Sequence, residues 1–143
     1  MKVLIDSNVV LDVLLNRSDF LVNSKTIFDF AEQKQITGCI SASAITDIFY
    51  FINKKFKDKG MVYETIEKLT FLFSVIPVTE TTIAKALTLR WQDFEDAVQY
   101  TAAQENGIEY IITRNEADYK TSDIQCMSPT DFIPRPKNSE KKL

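Results

Sequence analysis

The chain is predicted to be an α/β protein whose mostly parallel sheet is covered by helices on both faces. Three observations predict it. Short, apolar, β-branched runs recur along the 143 residues. Stretches with helical spacing of apolar residues separate them, and capping or turn residues stand at most junctions. Strands that alternate with helices return through crossovers, which lay helices over both faces of a parallel sheet.

Residues 2–5, Lys-Val-Leu-Ile, read as a first buried strand because the run is continuous and apolar. Asp6-Ser7-Asn8 offers capping chemistry for a helix over 9–15. After the polar break Asn16-Arg17-Ser18-Asp19, Phe20, Leu21, Ile27, Phe28 and Ala31 follow helical spacing, and 35–40 reads as a second strand. Ser41 and Ser43 are candidate caps for a third helix with Ile45, Ile48, Phe49 and Ile52 on its apolar face. A basic break over 54–60 precedes a fourth helix over 62–73. Pro77 limits a strand at 75–78, because proline cannot donate to a ladder. Helices are predicted over 79–89 and 93–105, the latter ended by Asn106-Gly107. A strand at 110–113, an edge strand at 124–127 and a helical turn opened by Ser128-Pro129-Thr130-Asp131 complete the pattern. There is no repeat and no linker, so residues 1–133 are predicted as one domain; 134–143 is Pro-, Lys- and Ser-rich and is predicted to be a mobile tail.

Length suits one domain with one substantial core, and a hydrophobic share of 45% excludes a disordered chain. The net charge is −3, so binding to nucleic acid would need a local patch or metal-bridged phosphates. The chain has no histidine, which removes the usual general base, His-dependent nucleophiles and most zinc sites. Cys39 and Cys126 sit in apolar surroundings and read as reduced core residues. Asp6 interrupts any signal-peptide core, and no apolar run nears the roughly 20 residues a membrane span needs. The expected location is cytoplasmic, with no membrane partner.

Four acids remain as candidates for chemistry: Asp6, Asp47, Asp96 and Asp118. Asp6 ends the first strand, Asp96 lies in the first turn of the helix over 93–105, and Asp118 follows the strand at 110–113. In open α/β sheets, strand C-termini and helix N-termini meet at the edge that carries sites. Each also has a plain structural explanation. Asp6 can cap a helix, Asp93 and Asp96 can cap and favour a helix dipole, and Asp47 can sit on a solvent face. Glu95 is expected to be a solvated neighbour. Thr113-Arg114-Asn115 adds a hydroxyl and an amide after the strand end. If the acids converge, two carboxylates about 5 Å apart repel by roughly 3 kcal/mol at an effective dielectric near 20. A cation would then be needed, and oxygen-only ligands select Mg²⁺ or Mn²⁺. Such an ion serves phosphodiester hydrolysis without histidine. A phosphatase with an Asp nucleophile would place a second Asp two residues after the first; Asn8 stands there, and scattered glycines form no phosphate cradle.

Three segments in order resemble the PIN-domain family, also described as PilT N-terminus-like: Leu4-Ile5-Asp6-Ser7-Asn8-Val9-Val10-Leu11-Asp12, Asp93-Phe94-Glu95-Asp96-Ala97-Val98-Gln99 and Ile112-Thr113-Arg114-Asn115-Glu116-Ala117-Asp118-Tyr119. The resemblance implies a three-layer α/β/α sandwich with a central, mostly parallel sheet of about five strands. It implies a metal-dependent endoribonuclease in which acids matching Asp6, Asp96 and Asp118 hold Mg²⁺ or Mn²⁺. Asp93 and Asn115 would support the site, and Ser7, Asn8 and Thr113 would orient ligands or substrate. Many members carry Glu where this chain has Asp47, which has a shorter reach. Many small bacterial members are VapC-like toxins of toxin–antitoxin pairs, which implies an RNA substrate, a homodimer and a cognate antitoxin. Arg114, Lys54, Lys55 and Lys57 are candidates for phosphate contacts, with an ordinary surface role as the alternative. A non-catalytic protein- or RNA-interaction module with a weakened acidic pocket is the competing reading.

Overall fold

A computed structural model describes residues 1–119 and 121–132. The predicted tail over 134–143 lies outside the described residues. Within these residues five strands form one sheet in the order β3-β2-β1-β4-β5: β1 (Lys2–Ile5), β2 (Thr37–Ser41), β3 (Ser74–Ile76), β4 (Tyr110–Ile112) and β5 (Gln125–Met127). All neighbouring pairs are parallel, and β1 lies in the middle with Leu4 opposite both Cys39 and Ile111. The edge position expected for residues 124–127 is occupied by β5.

Among the described residues, six helices connect the strands: α1 (Ser7–Leu14), α2 (Leu21–Glu32), α3 (Ala42–Phe56), α4 (Lys59–Leu72), α5 (Glu80–Leu89) and α6 (Phe94–Glu105). The period of two along each strand sorts them between the faces. Val3, Ile5, Ile40 and Ile112 pack with residues of α1 to α4, including Val9, Ile27, Ile48 and Val62. Leu4, Cys39 and Ile111 point the other way and pack with Tyr100, Ala102 and Ala103 of α6. Ala86 of α5 in turn covers Ala97 and Val98. The result is the predicted α/β/α sandwich. Among the described residues, no helix is long and apolar enough to cross a membrane.

Local chemistry explains most boundaries. The Ser41 hydroxyl caps α3 by accepting from the Ala44 N–H, the Asp58 carboxylate caps α4, and Thr79 with Thr82 forms a capping box for α5. The expected basic break over 54–60 shrinks to two residues. Helix α3 runs on through Lys54 and Lys55, then stops at Lys57, whose φ of 55° is left-handed. Lysines there suit the negative end of a helix dipole, so charge alone was a poor breaker. Residues 116–119 form a 3₁₀ turn that had no sequence signal, and 128–132 make one hydrogen-bonded turn on Ser128.

Candidate metal centre

β1 and β4 flank the point where strand order reverses, since β2 and β3 extend to one side and β5 to the other. Asp6 follows β1 and Thr113 follows β4, so both stand at the carboxyl edge of this crevice. α6 points its N-terminus to the same edge. Asp93 caps it, its Oδ1 accepting from the Asp96 N–H at 3.1 Å. All eight residues from Asp96 to Ala103 are buried, which seats the helix closely on the sheet.

Asp6 is 5% exposed and is the hub. The Thr113 hydroxyl donates to its Oδ2 at 2.8 Å, and the Gln99 amide donates to its Oδ1 at 3.3 Å. Ser7 and Asn8 approach the same two oxygens at 3.4 Å each. The Tyr119 hydroxyl lies 3.5 Å from Asp6 Oδ2 and 3.4 Å from Asp96 Oδ1, linking the two acids. Trp91 packs edge-on against Tyr119 and stacks on Tyr100, which holds the phenol in place. Burial, then the charges of Asp6 and Asp96, push the Tyr119 phenol well above its ordinary range, so it stays a donor.

Burial first, then Asp6, Asp93 and Asp118, push the Asp96 carboxyl up to about 7. Glu95 is pushed to about 7 as well, by burial, then by Asp47, Asp6 and Asp93. Glu95 was expected to be a solvated neighbour. It is exposed as a residue, but its carboxyl lies near enough to the half-buried Asp47 of α3 for that charge to raise it. Asp118 is exposed and, with Asp93, Trp91 and Thr121, lines an open groove of about 560 Å³. Asn115 is also exposed; its N–H donates to the Thr113 hydroxyl and its carbonyl accepts from Asp118, so its recorded role is in the turn. Sequence reasoning missed Gln99, Tyr119 and Glu95 as members of this cluster.

Of the candidate phosphate contacts, the three lysines lie away from the acids. Lys54, Lys55 and Lys57 are exposed at the C-terminal end of α3. They lie roughly 20 Å along the helix from its capped end at the site, by the rise per residue. Arg114 turns to Asp12 instead.

Two buried acceptors, Asn8 Oδ1 and Gln99 Oε1, have no hydrogen-bond partner among the described residues, although the amide nitrogen of each side chain reaches Asp6. Turning either amide over would set oxygen against carboxylate, so the orientations are fixed by Asp6. An unpartnered buried acceptor costs roughly 1–3 kcal/mol. Hard oxygen donors, crowded carboxyls and unused acceptors together suit a hydrated divalent cation. Among the described residues no group of three Cys, Asp or Glu side chains is arranged to hold an ion alone. Mg²⁺ does not need one, because it keeps several waters and takes one or two carboxylates. Cys39 and Cys126 are free and lie in the core against α6; burial raises both thiols, Cys126 to about 11.

Known proteins resemble this chain over most of its length. The PIN-domain model matches residues 2–117, ending one residue short of Asp118. Ribonuclease VapC1 of Aquifex aeolicus (strain VF5) is 24% identical over 139 residues, covering 94% of each chain. The structure of FitAcB from Neisseria gonorrhoeae aligns with a TM-score of 0.72 at 18% identity, covering 91% of this chain and 99% of that one. A toxin-antitoxin complex from Klebsiella pneumoniae gives 0.67 at 20% identity, covering 89% and 97%. The structural likenesses establish the fold, and the family model spans most of the sequence: this chain belongs to the PIN-domain family.

Proposed function

We propose that this protein is a divalent-metal-dependent endoribonuclease that hydrolyses RNA phosphodiester bonds, acting as the toxin of a toxin–antitoxin pair. The observation that carries the reading is the meeting of Asp6 and Asp96 on one buried hydroxyl, with the Asp96 carboxyl held near 7 by burial and by the acids around it. Mg²⁺ or Mn²⁺ would be held by Asp6 and Asp96, with Asp118 sharing the charge. Bound there, the ion supplies Lewis-acid stabilisation of phosphate oxygens and activation of water.

The chain's own residues do the rest. Thr113 and Gln99 grip opposite oxygens of Asp6 and fix the rotation of its carboxylate. Tyr119 keeps its proton and joins the two acids. Asp93 anchors the start of α6, and therefore the position of Asp96. Ser7 and Asn8 complete the bed of donors beneath Asp6. Asp47 acts through Glu95 in this arrangement, as an outer acid of the cluster. The relative from Aquifex is named a ribonuclease, and the Klebsiella neighbour comes from a toxin-antitoxin complex; both support an RNA substrate and a cognate antitoxin. A homodimer and a cytoplasmic location belong to the same reading.

The test is cleavage of single-stranded RNA with Mg²⁺ or Mn²⁺ by wild type, Asp6→Asn and Asp96→Asn. Both variants should lose roughly 100-fold or more, since even outer-shell changes at metal sites cost 10–100-fold. Equal activity in all three overturns the assignment. The competing reading, a PIN-like interaction module that does not cut, is favoured by one observation: among the described residues, no three acids stand ready to hold an ion. The readings part on whether a cation binds at all.

A further inference from the structure

Among the described residues Asp12 is the most deeply buried charge, and the candidate metal centre does not use it. Its side chain is fully buried on α1, yet it meets two arginines. Arg114 Nε donates to Asp12 Oδ2 at 2.8 Å, Arg17 approaches Oδ1 at 3.4 Å, and the Ser24 hydroxyl donates to Oδ2 at 3.0 Å. Two guanidinium groups against one carboxylate leave one positive charge at the rim of an acidic site. Arg114 is the residue after Thr113, which holds Asp6, so this charge stands beside the metal centre, on the α1–α2 side of the sheet.

Arg114 is also built into a pocket. Its guanidinium carbon lies 3.9 Å from the centre of the Phe20 ring. The pocket, of about 220 Å³, is lined by Phe20, Asn23, Arg114, Ser128, Pro129 and Thr130. Across its rim the Asn23 amide donates to the Thr130 hydroxyl at 3.0 Å. A cavity of about 150 Å³ takes a benzene ring, so this one has room for a single base. Phe20 and Pro129 offer apolar contact, Ser128 and Thr130 offer hydroxyls, and Arg114 offers a fixed, planar, charged fork suited to phosphate. A buried ion pair is a poor means of stabilising a fold, because desolvation offsets much of the attraction. Orienting Arg114 at the pocket mouth explains why Asp12 is there.

We propose that this pocket is a nucleotide subsite that receives one residue of the RNA next to the scissile bond, with Arg114 on its phosphate and Phe20 against its base. The proposal rests on the ribonuclease reading. Phe20→Ala removes the stacking surface at a partly exposed position. Arg114→Lys keeps a counter-charge for Asp12 while losing the planar fork, so both variants should fold, which matching thermal melts check. Phe71→Ser, on the exposed side of α4 away from the pocket, is the control.

Binding is measured by fluorescence anisotropy with labelled uridine and adenosine hexaribonucleotides and Mg²⁺, each change being made in an Asp96→Asn background that silences cutting. Phe20→Ala and Arg114→Lys should each weaken binding about five-fold or more, the range seen when one stacking partner is removed. With Asp96 restored, they should raise KM for cleavage while leaving kcat nearly unchanged, because a flanking contact is made equally in ground and transition states. Wild type that cuts RNA, with both variants matching it in Kd and KM, overturns the subsite alone. A loss in Arg114→Lys only overturns the base contact. Wild type that neither binds nor cuts RNA overturns the ribonuclease reading and the subsite with it.

Discussion

Asp96 carries the electrostatic tension of the site, and its pH behaviour is the most direct measure of it. Its carboxyl rises from an ordinary value near 3.8 to about 7, and Glu95 rises in the same sense. A pKa raised on folding means that the folded protein binds the proton more tightly. The stability this contributes is fully present below about pH 3.8 and is lost as pH climbs through about 7. Without metal, Asp96→Asn should therefore be more stable than wild type at pH 8, on the order of 1–3 kcal/mol, with the advantage shrinking toward pH 4. Calorimetry in EDTA at both pH values checks this; a less stable variant at pH 8 would refute the crowding. Asp6, Asp96 and Asp118 could be picked out as candidates because strand ends and helix starts are legible from local pattern, whereas Asp47, inside α3, had no such signal. Gln99 and Tyr119 could not. Both are neutral, and only the fold brings Gln99 across 93 residues to Asp6. The available hint was an amide amid the small, apolar residues of α6, one turn beyond Asp96. For Glu95 the helical azimuth was a fair guide to its own helix, but it gave no information about Asp47 arriving from α3.

At the level of elements, α6 and β2 show how closely packing constrains the scaffold. The small residues Ala97, Ala102 and Ala103 let α6 lie against the sheet, which keeps Asp96 and Gln99 on Asp6. On the other face, a Cβ added at Gly38 in β2 would come within 2.5 Å of Phe73 Cδ1 and 2.8 Å of its Cε1. Phe73 is 2% exposed and sits edge-on against Phe28 at 5.0 Å, so its ring has little freedom to swing away. Gly38→Ala should cost about 1–3 kcal/mol, the usual penalty for overpacking a core. Chemical denaturation checks it, and a neutral or stabilising effect would show that the ring moves freely. Element types were largely readable because 3.6- and 2-residue periods differ plainly. The end of α3 was not, since lysines that resemble a loop in composition also suit a helix C-terminus.

Across the whole molecule, the expected parallel sheet and its helical cover follow from alternation of strands and helices. The strand order does not follow from alternation alone: placing β4 beside β1 depends on which faces pair once the core closes. The same order puts Asp6, Thr113 and the start of α6 in one crevice, so the proposed metal binding would be a property of the folded domain. A ligand that binds only the folded state stabilises it by about 2.7 kcal/mol at 100 times its Kd. Titration with Mn²⁺ or Mg²⁺ should therefore raise the melting temperature of wild type by several degrees, an effect of about 2–4 °C per kcal/mol for a domain near this size. Asp6→Asn should blunt the rise. No shift in wild type would favour the interaction module.

The central place of β1 also sets a timetable. Its inner neighbours are β2, which follows about thirty residues later, and β4, which begins only at Tyr110. A ribosome adding 5–20 residues per second leaves one edge of β1 unpaired for several seconds, until that late strand emerges. Thr113 and Tyr119, which bind Asp6, arrive later still. A nascent chain thus carries Asp6 for 107 residues of synthesis before Thr113 is added, and cannot assemble the crevice around it until then.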